Sequence, residues 1–217
     1  MTSEASDGAD ETLYPDLRDP RVMVAVARPW RPAAASLWAL AARLTRLLAE
    51  AREPLIGQIK LAWWRDMMAM LANDPDALPK GEPLLAELCA TWGGQAGLDA
   101  LVDAAEAMLL AEDDDARREA AESFGARLFA LSSAQGGDDP RGRRWGLLWG
   151  AVQQEEAAAA RALFAAAGAT LAPRGSFAGD RALLMLDRWA AAIAKRGGER
   201  RWRSEGALLF RVGLMGR

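Results

Sequence analysis

The chain has 217 residues, 51% of them apolar, and its 27 basic and 30 acidic side chains leave a net charge of −3. That length supports one sizeable core without staples, and a charge so near zero excludes the broad positive face that nucleic acid requires. A single cysteine, Cys89, rules out an intrachain disulfide framework and suits a reducing compartment. The absence of histidine removes Ser-His-Asp and Cys-His chemistry, so any metal would be held by oxygen alone, as Mg²⁺ or Ca²⁺ is.

Ala, Leu, Glu and Arg dominate while β-branched residues are scarce, which predicts an all-α protein. Residues 1–14 are small and acidic without periodicity and are expected to form a disordered tail; residues 15–217 are expected to form one helical domain. Asp16 or Asp19 can cap a short helix through Val22–Ala27, and Arg28-Pro29-Trp30-Arg31-Pro32 breaks it. Leu37, Leu40, Leu44, Leu47 and Leu48 give Ala33–Glu50 a helical period. Glu53-Pro54 opens the next helix, running to about Leu71. Its apolar residues spread nearly all round the helical wheel, which predicts a central helix buried on most of its circumference. Gln58 and Arg65 share one line along it, flanked by Lys60 and Asp66, as a thin polar stripe through the core.

Asn73–Gly81 is turn-rich, and helices are expected at about 82–92 and 97–111 and from Asp113 to about Ala134. Asp138-Asp139-Pro140 starts one long helix over about 141–167, Ala-rich in its later part. A Gly/Pro loop, a helix over about 177–195, a Gly197-Gly198 break and an amphipathic segment from Trp202 to Met215 complete the chain. No apolar run approaches the roughly 18–20 residues of a membrane span, and the acidic N-terminus lacks a secretory signal's features. The expected location is therefore cytoplasmic or peripheral at the inner face of a membrane.

Three acidic groups invite a metal reading. Asp113-Asp114-Asp115 and Asp138-Asp139 sit where a helix begins, so capping explains them, and adjacent carboxylates do not share a helix face. Asp99 and Asp103 are a true i,i+4 pair that could face one Mg²⁺. Of the nine tryptophans, Trp38, Trp63, Trp64, Trp145, Trp149 and Trp189 fall in apolar helical patterns, which predicts core packing, with an apolar ligand slot as the sharper alternative. The C-terminus mixes Lys195, Arg196, Arg200, Arg201 and Arg203 with Trp202 and then Leu208–Met215. It reads as a final docking helix, or alternatively as an interfacial helix on an anionic membrane.

The runs Ser36-Leu37-Trp38-Ala39-Leu40-Ala41-Ala42-Arg43-Leu44 and Arg52-Glu53-Pro54-Leu55-Ile56-Gly57-Gln58-Ile59-Lys60-Leu61-Ala62-Trp63-Trp64-Arg65-Asp66 resemble the N-terminal part of the squalene/phytoene synthase family. Glu122–Leu128 is similar to that family's mid-chain helix, and Gly146–Gln153 to the lead-in to its second motif. The resemblance implies a single-domain isoprenoid-synthase-like bundle. Active members join two prenyl diphosphates head to head, holding Mg²⁺ on two DxxxD-type motifs that face each other across a cavity. Here the first motif's aspartates align with Thr45 and Ala49, with Arg46 between them, and the second motif's place reads Val152-Gln153-Gln154-Glu155-Glu156. Neither DxxxD is present.

The pattern resembles the degenerate branch of the family that includes a mitochondrial complex I assembly factor. What it implies is a non-catalytic binding or assembly factor with no cofactor, holding a prenyl diphosphate or another apolar ligand, with a protein partner at the membrane. Arg43, Gln58, Lys60, Trp63 and Arg65 are the expected ligand-binding residues. The alternative is an active Mg²⁺-dependent prenyltransferase of the squalene/phytoene type, with carboxylates at Asp99 and Asp103 or at Glu155.

Overall fold

The computed structural model describes residues 13–133 and 140–215. These form ten α-helices with no strand among the described residues: α1 (Pro20–Met23), α2 (Arg31–Glu50), α3 (Pro54–Asn73), α4 (Pro83–Trp92), α5 (Leu98–Leu110), α6 (Asp114–Ser132), α7 (Arg143–Val152), α8 (Ala157–Ala169), α9 (Arg181–Ala194) and α10 (Trp202–Met215). The all-α class is as the composition implied. No helix among the described residues is long and apolar enough to cross a membrane.

Helix starts obey local chemistry. Asp19 accepts the Arg21 backbone N–H at α1, and Asp113 accepts that of Ala116 at 2.8 Å, satisfying donors that the first turn leaves unpaired. Asp114 is taken by Arg117 at 2.8 Å, so the Asp113–Asp115 run caps and solvates α6. Pro54 and Pro83 open α3 and α4, where a missing N–H costs nothing. Asp138, Asp139 and Met1–Thr12 lie outside the described residues. Tyr14, the last residue of the expected tail, is buried with its ring edge-on to Trp145 at 5.7 Å.

The structure corrects the sequence reading at two elements. The expected single helix over 141–167 is two helices, α7 and α8, that turn back on one another at Gln153–Glu156. Residues such as Gln and Glu favour helix locally. Here the Gln154 side chain instead donates to the Gly150 carbonyl at 3.1 Å, closing the end of α7 so that α8 can pack beside it. The second correction concerns α3, which buries one face only: Gly57, Leu61, Trp64, Met67, Met68 and Leu71 point inward. Leu55, Ile56, Ile59 and Trp63 are exposed, at 67%, 47%, 62% and 40% of their full areas.

The helix enclosed on all sides is α7, whose residues from Arg144 to Ala151 are all buried. It packs against α6, α8 and α9. Glycines let α6 and α7 cross at near backbone contact: a Cβ on Gly125 would lie 2.7 Å from the Gly146 Cα, and one on Gly146 would collide with the Ala121 carbonyl. Tryptophans fill the space between α2, α6 and α7. Trp145 meets Trp38 at 5.2 Å, and Phe124 stacks on Trp149 at 4.1 Å. Each buried indole N–H here has an acceptor: Trp38 donates to Ser132 at 2.9 Å, Trp145 to the Pro15 carbonyl at 2.7 Å and Trp149 to Thr45 at 2.9 Å. These rings pack against one another and against Phe124 within the core.

Candidate functional site

An open cleft of about 780 Å³ lies between α2, the start of α4, the end of α7 and the segment leading into α1. On α2, Ala39, Ala42, Arg43, Arg46 and Ala49 recur at three- and four-residue spacings, so they share one face of the helix. The alanines leave the space and the two arginines reach into it. The rest of the lining comes from Val152 at the end of α7 and Gln153 just beyond it, from Glu82, Pro83, Leu84 and Glu87 at the start of α4, and from Leu13, Tyr14 and Arg18. A smaller recess of about 180 Å³ adjoins it and shares Ala49 and Gln153.

Three guanidinium groups line the cleft, and they differ in how they are satisfied. Arg18 is bound by Asp16 at 2.6 Å; burial pulls its pKa down, but the Asp16 contact outweighs that and holds it above the ordinary value. Arg43 pairs with Glu82 at 2.9 Å and lies 5.9 Å above the Trp64 ring. Arg46 is exposed and has no ion-pair partner among the described residues. Thr45 is committed: its hydroxyl donates to the Ala41 carbonyl at 2.8 Å and accepts from Trp149. The site is therefore a cleft walled partly by alanines, with one cation lacking an ion-pair partner among the described residues and a second paired with a partly exposed carboxylate.

The structure places the five expected ligand-binding residues in two different regions. Arg43 lines the cleft. Lys60 and Trp63 are exposed on α3, Gln58 is half-buried there, and none of the three lines the cleft. Arg65 pairs with Asp103 and Glu106 of α5, which makes it a clamp between two antiparallel helices. Asp103 is thereby engaged by an arginine rather than aimed with Asp99 at a cation. Glu155 and Glu156 are exposed in the α7–α8 turn.

The sequence reasoning missed Arg18, Arg46 and Glu82 as cleft residues. Arg46 had a usable signal, since it follows Arg43 by three on a helix whose other face is plainly core. Arg18 and Glu82 had none, because both lie outside regular elements and reach the cleft through chain packing alone.

The donor set does not suit Mg²⁺. The cleft offers the hydroxyls of Thr45 and Tyr14, a glutamine amide and two carboxylates among three guanidiniums, and no cluster of three metal-binding side chains occurs among the described residues. Comparison with family models, with curated proteins and with solved structures finds no match.

Proposed function

We propose that this protein is a non-catalytic binding or assembly factor of squalene/phytoene synthase-like architecture, whose cleft holds a prenyl diphosphate-like amphiphile without metal. The supporting observation is a juxtaposition. Thr45, Arg46 and Ala49, and Val152 and Gln153, from the two places that the resemblance aligns with the metal motifs, lie far apart in sequence yet line the same cleft. At that place the positions of the first motif's aspartates are Thr45 and Ala49, and Arg43 and Arg46 line the cleft beside them. Guanidinium groups bind phosphate oxygens directly, bidentately and without a bridging cation. The adjoining Ala39, Ala42, Leu84 and Val152 supply apolar wall for the first carbons of a tail. Placement in the cytoplasm or at the inner face of a membrane, and a protein client there, belong to the same proposal.

Calorimetric titration with farnesyl diphosphate tests it. Binding is expected in EDTA and unchanged by Mg²⁺, with no pyrophosphate released. Arg46→Glu should weaken binding at least about tenfold, the loss of one charge-assisted contact plus repulsion. Binding that needs Mg²⁺, or turnover in its presence, would establish the prenyltransferase reading instead.

A further inference from the structure

The exposed face of α3 is an apolar feature the cleft does not use. Leu55, Ile59 and Trp63 recur every four residues and so lie along one side of the helix, directly away from the buried Leu61, Trp64 and Met68, with Ile56 beside them. An exposed apolar strip of this length on a surface helix marks an interaction face. Its order is self-complementary. Taking Ile59 as centre, Leu55 and Trp63 stand four residues to either side; Asp66 lies further along the helix, and Arg52, of opposite charge, lies in the turn two residues ahead of α3. Arg52 and Asp66 are both exposed, and neither has an ion-pair partner among the described residues. About 18 Å of helix runs from Pro54, the first residue of α3, to Asp66 at roughly 1.5 Å per residue, and Arg52 lies ahead of it, so the two cannot neutralise one another within one copy.

We infer that α3 pairs antiparallel with α3 of a second copy of this chain, about a two-fold axis at Ile59. In such an isologous contact, residue i meets j and j meets i. Ile59 then meets its own counterpart, each Leu55 packs beside the partner's Trp63, and each Arg52 meets the partner's Asp66. A lipid surface would not need the acid at Asp66; the two-fold pairing sets it against the partner's Arg52 and buries the apolar strip in the same contact. A contact centred on one helix face is smaller than the roughly 800 Å² per partner of a standard interface, so a dissociable dimer is expected rather than a permanent one.

Analytical ultracentrifugation of the full chain across a wide concentration range tests this, with melting temperatures confirming that each variant folds. A reversible monomer–dimer equilibrium is expected, abolished by Ile59→Glu. Arg52→Asp and Asp66→Arg should each weaken it about tenfold, because each opposes like charges twice per dimer, and the doubly exchanged R52D/D66R chain should recover most of the loss. A chain that stays monomeric at every concentration, whether or not it binds phosphatidylglycerol vesicles, overturns the inference. So does a dimer indifferent to Ile59→Glu, or one that the double exchange fails to restore.

Discussion

Asp187 on α9 is fully buried, yet it is a carboxylate, and its partners explain how the fold tolerates it. Arg144 of α7 donates to both its oxygens at 2.7 Å and also reaches the Ala167 and Thr170 carbonyls at the end of α8, so one guanidinium ties three helices. Arg188 adds a contact at 3.3 Å. Removing one member of such a pair leaves a buried charge uncompensated, so Asp187→Ala should cost about 3–5 kcal/mol in urea denaturation. Burial pushes Asp187 up to about 6 despite the pull of Arg144 and Arg188. The unfolded chain releases the same proton near pH 4. Between those values the folded protein holds a proton that the unfolded chain has lost. This group's contribution to stability therefore grows by about 1 kcal/mol on acidification from pH 7 to pH 5, and is lost as pH rises through about 6. The gap between wild type and Asp187→Ala should accordingly be wider at pH 5 than at pH 7; a narrowing gap would contradict the raised value. Glu205 has the opposite sign. Burial opposes its charge, but the Arg201 backbone N–H, Trp189 and Arg200 outweigh it and hold the carboxylate below its ordinary range. Its contribution is present above about pH 4.5 and fades as the solution becomes more acid.

Two pairs of elements carry the most information. The first is the α6–α7 crossing, where Gly125, Gly142 and Gly146 let backbones touch. A methyl group at Gly146 meets a carbonyl oxygen of the neighbouring helix, not a flexible side chain that could swing aside, so Gly146→Ala should destabilise by about 2–3 kcal/mol although it raises helix propensity. A raised melting temperature would mean that the helices separate easily there. The second is α9 with α10. The C-terminal helix docks through Leu209 and Val212, and its basic lead-in is largely spoken for: Arg196 and Arg200 bind Glu205 at 2.8 and 2.9 Å, and Arg201 binds Glu199 at 3.1 Å. The docking reading of that segment accords with this geometry, while Phe210 and Leu214 remain exposed on its outer side.

On the scale of the whole molecule, the cleft exists because distant segments converge. Tyr14 lines it while its ring packs on Trp145, and Trp145 in turn donates to the Pro15 carbonyl. The lead-in to α1 is thus both a piece of the core and a wall of the site. Tyr14→Ala should lower stability by about 3 kcal/mol through the cavity left beside Trp145. It should also weaken farnesyl diphosphate binding, measured calorimetrically at a temperature where the variant is fully folded. Unchanged affinity in a destabilised variant would place the ligand elsewhere.

Taken alone, the sequence determined the class, the number of helices to within one, and most of their ends. Composition, leucine spacing and prolines at helix starts act over a few residues and need no knowledge of neighbours. It also drew attention to Arg43. It could not say that α7 rather than α3 is the enclosed helix, because periodicity records what a face could bury and not what arrives to cover it. Long-range packing settled that: α7 is surrounded by α6, α8 and α9, whereas α3 presents Leu55, Ile59 and Trp63 to solvent. The same limit hid the cleft, since Arg18, Arg46, Glu82 and Gln153 become neighbours only when four separate segments are brought together.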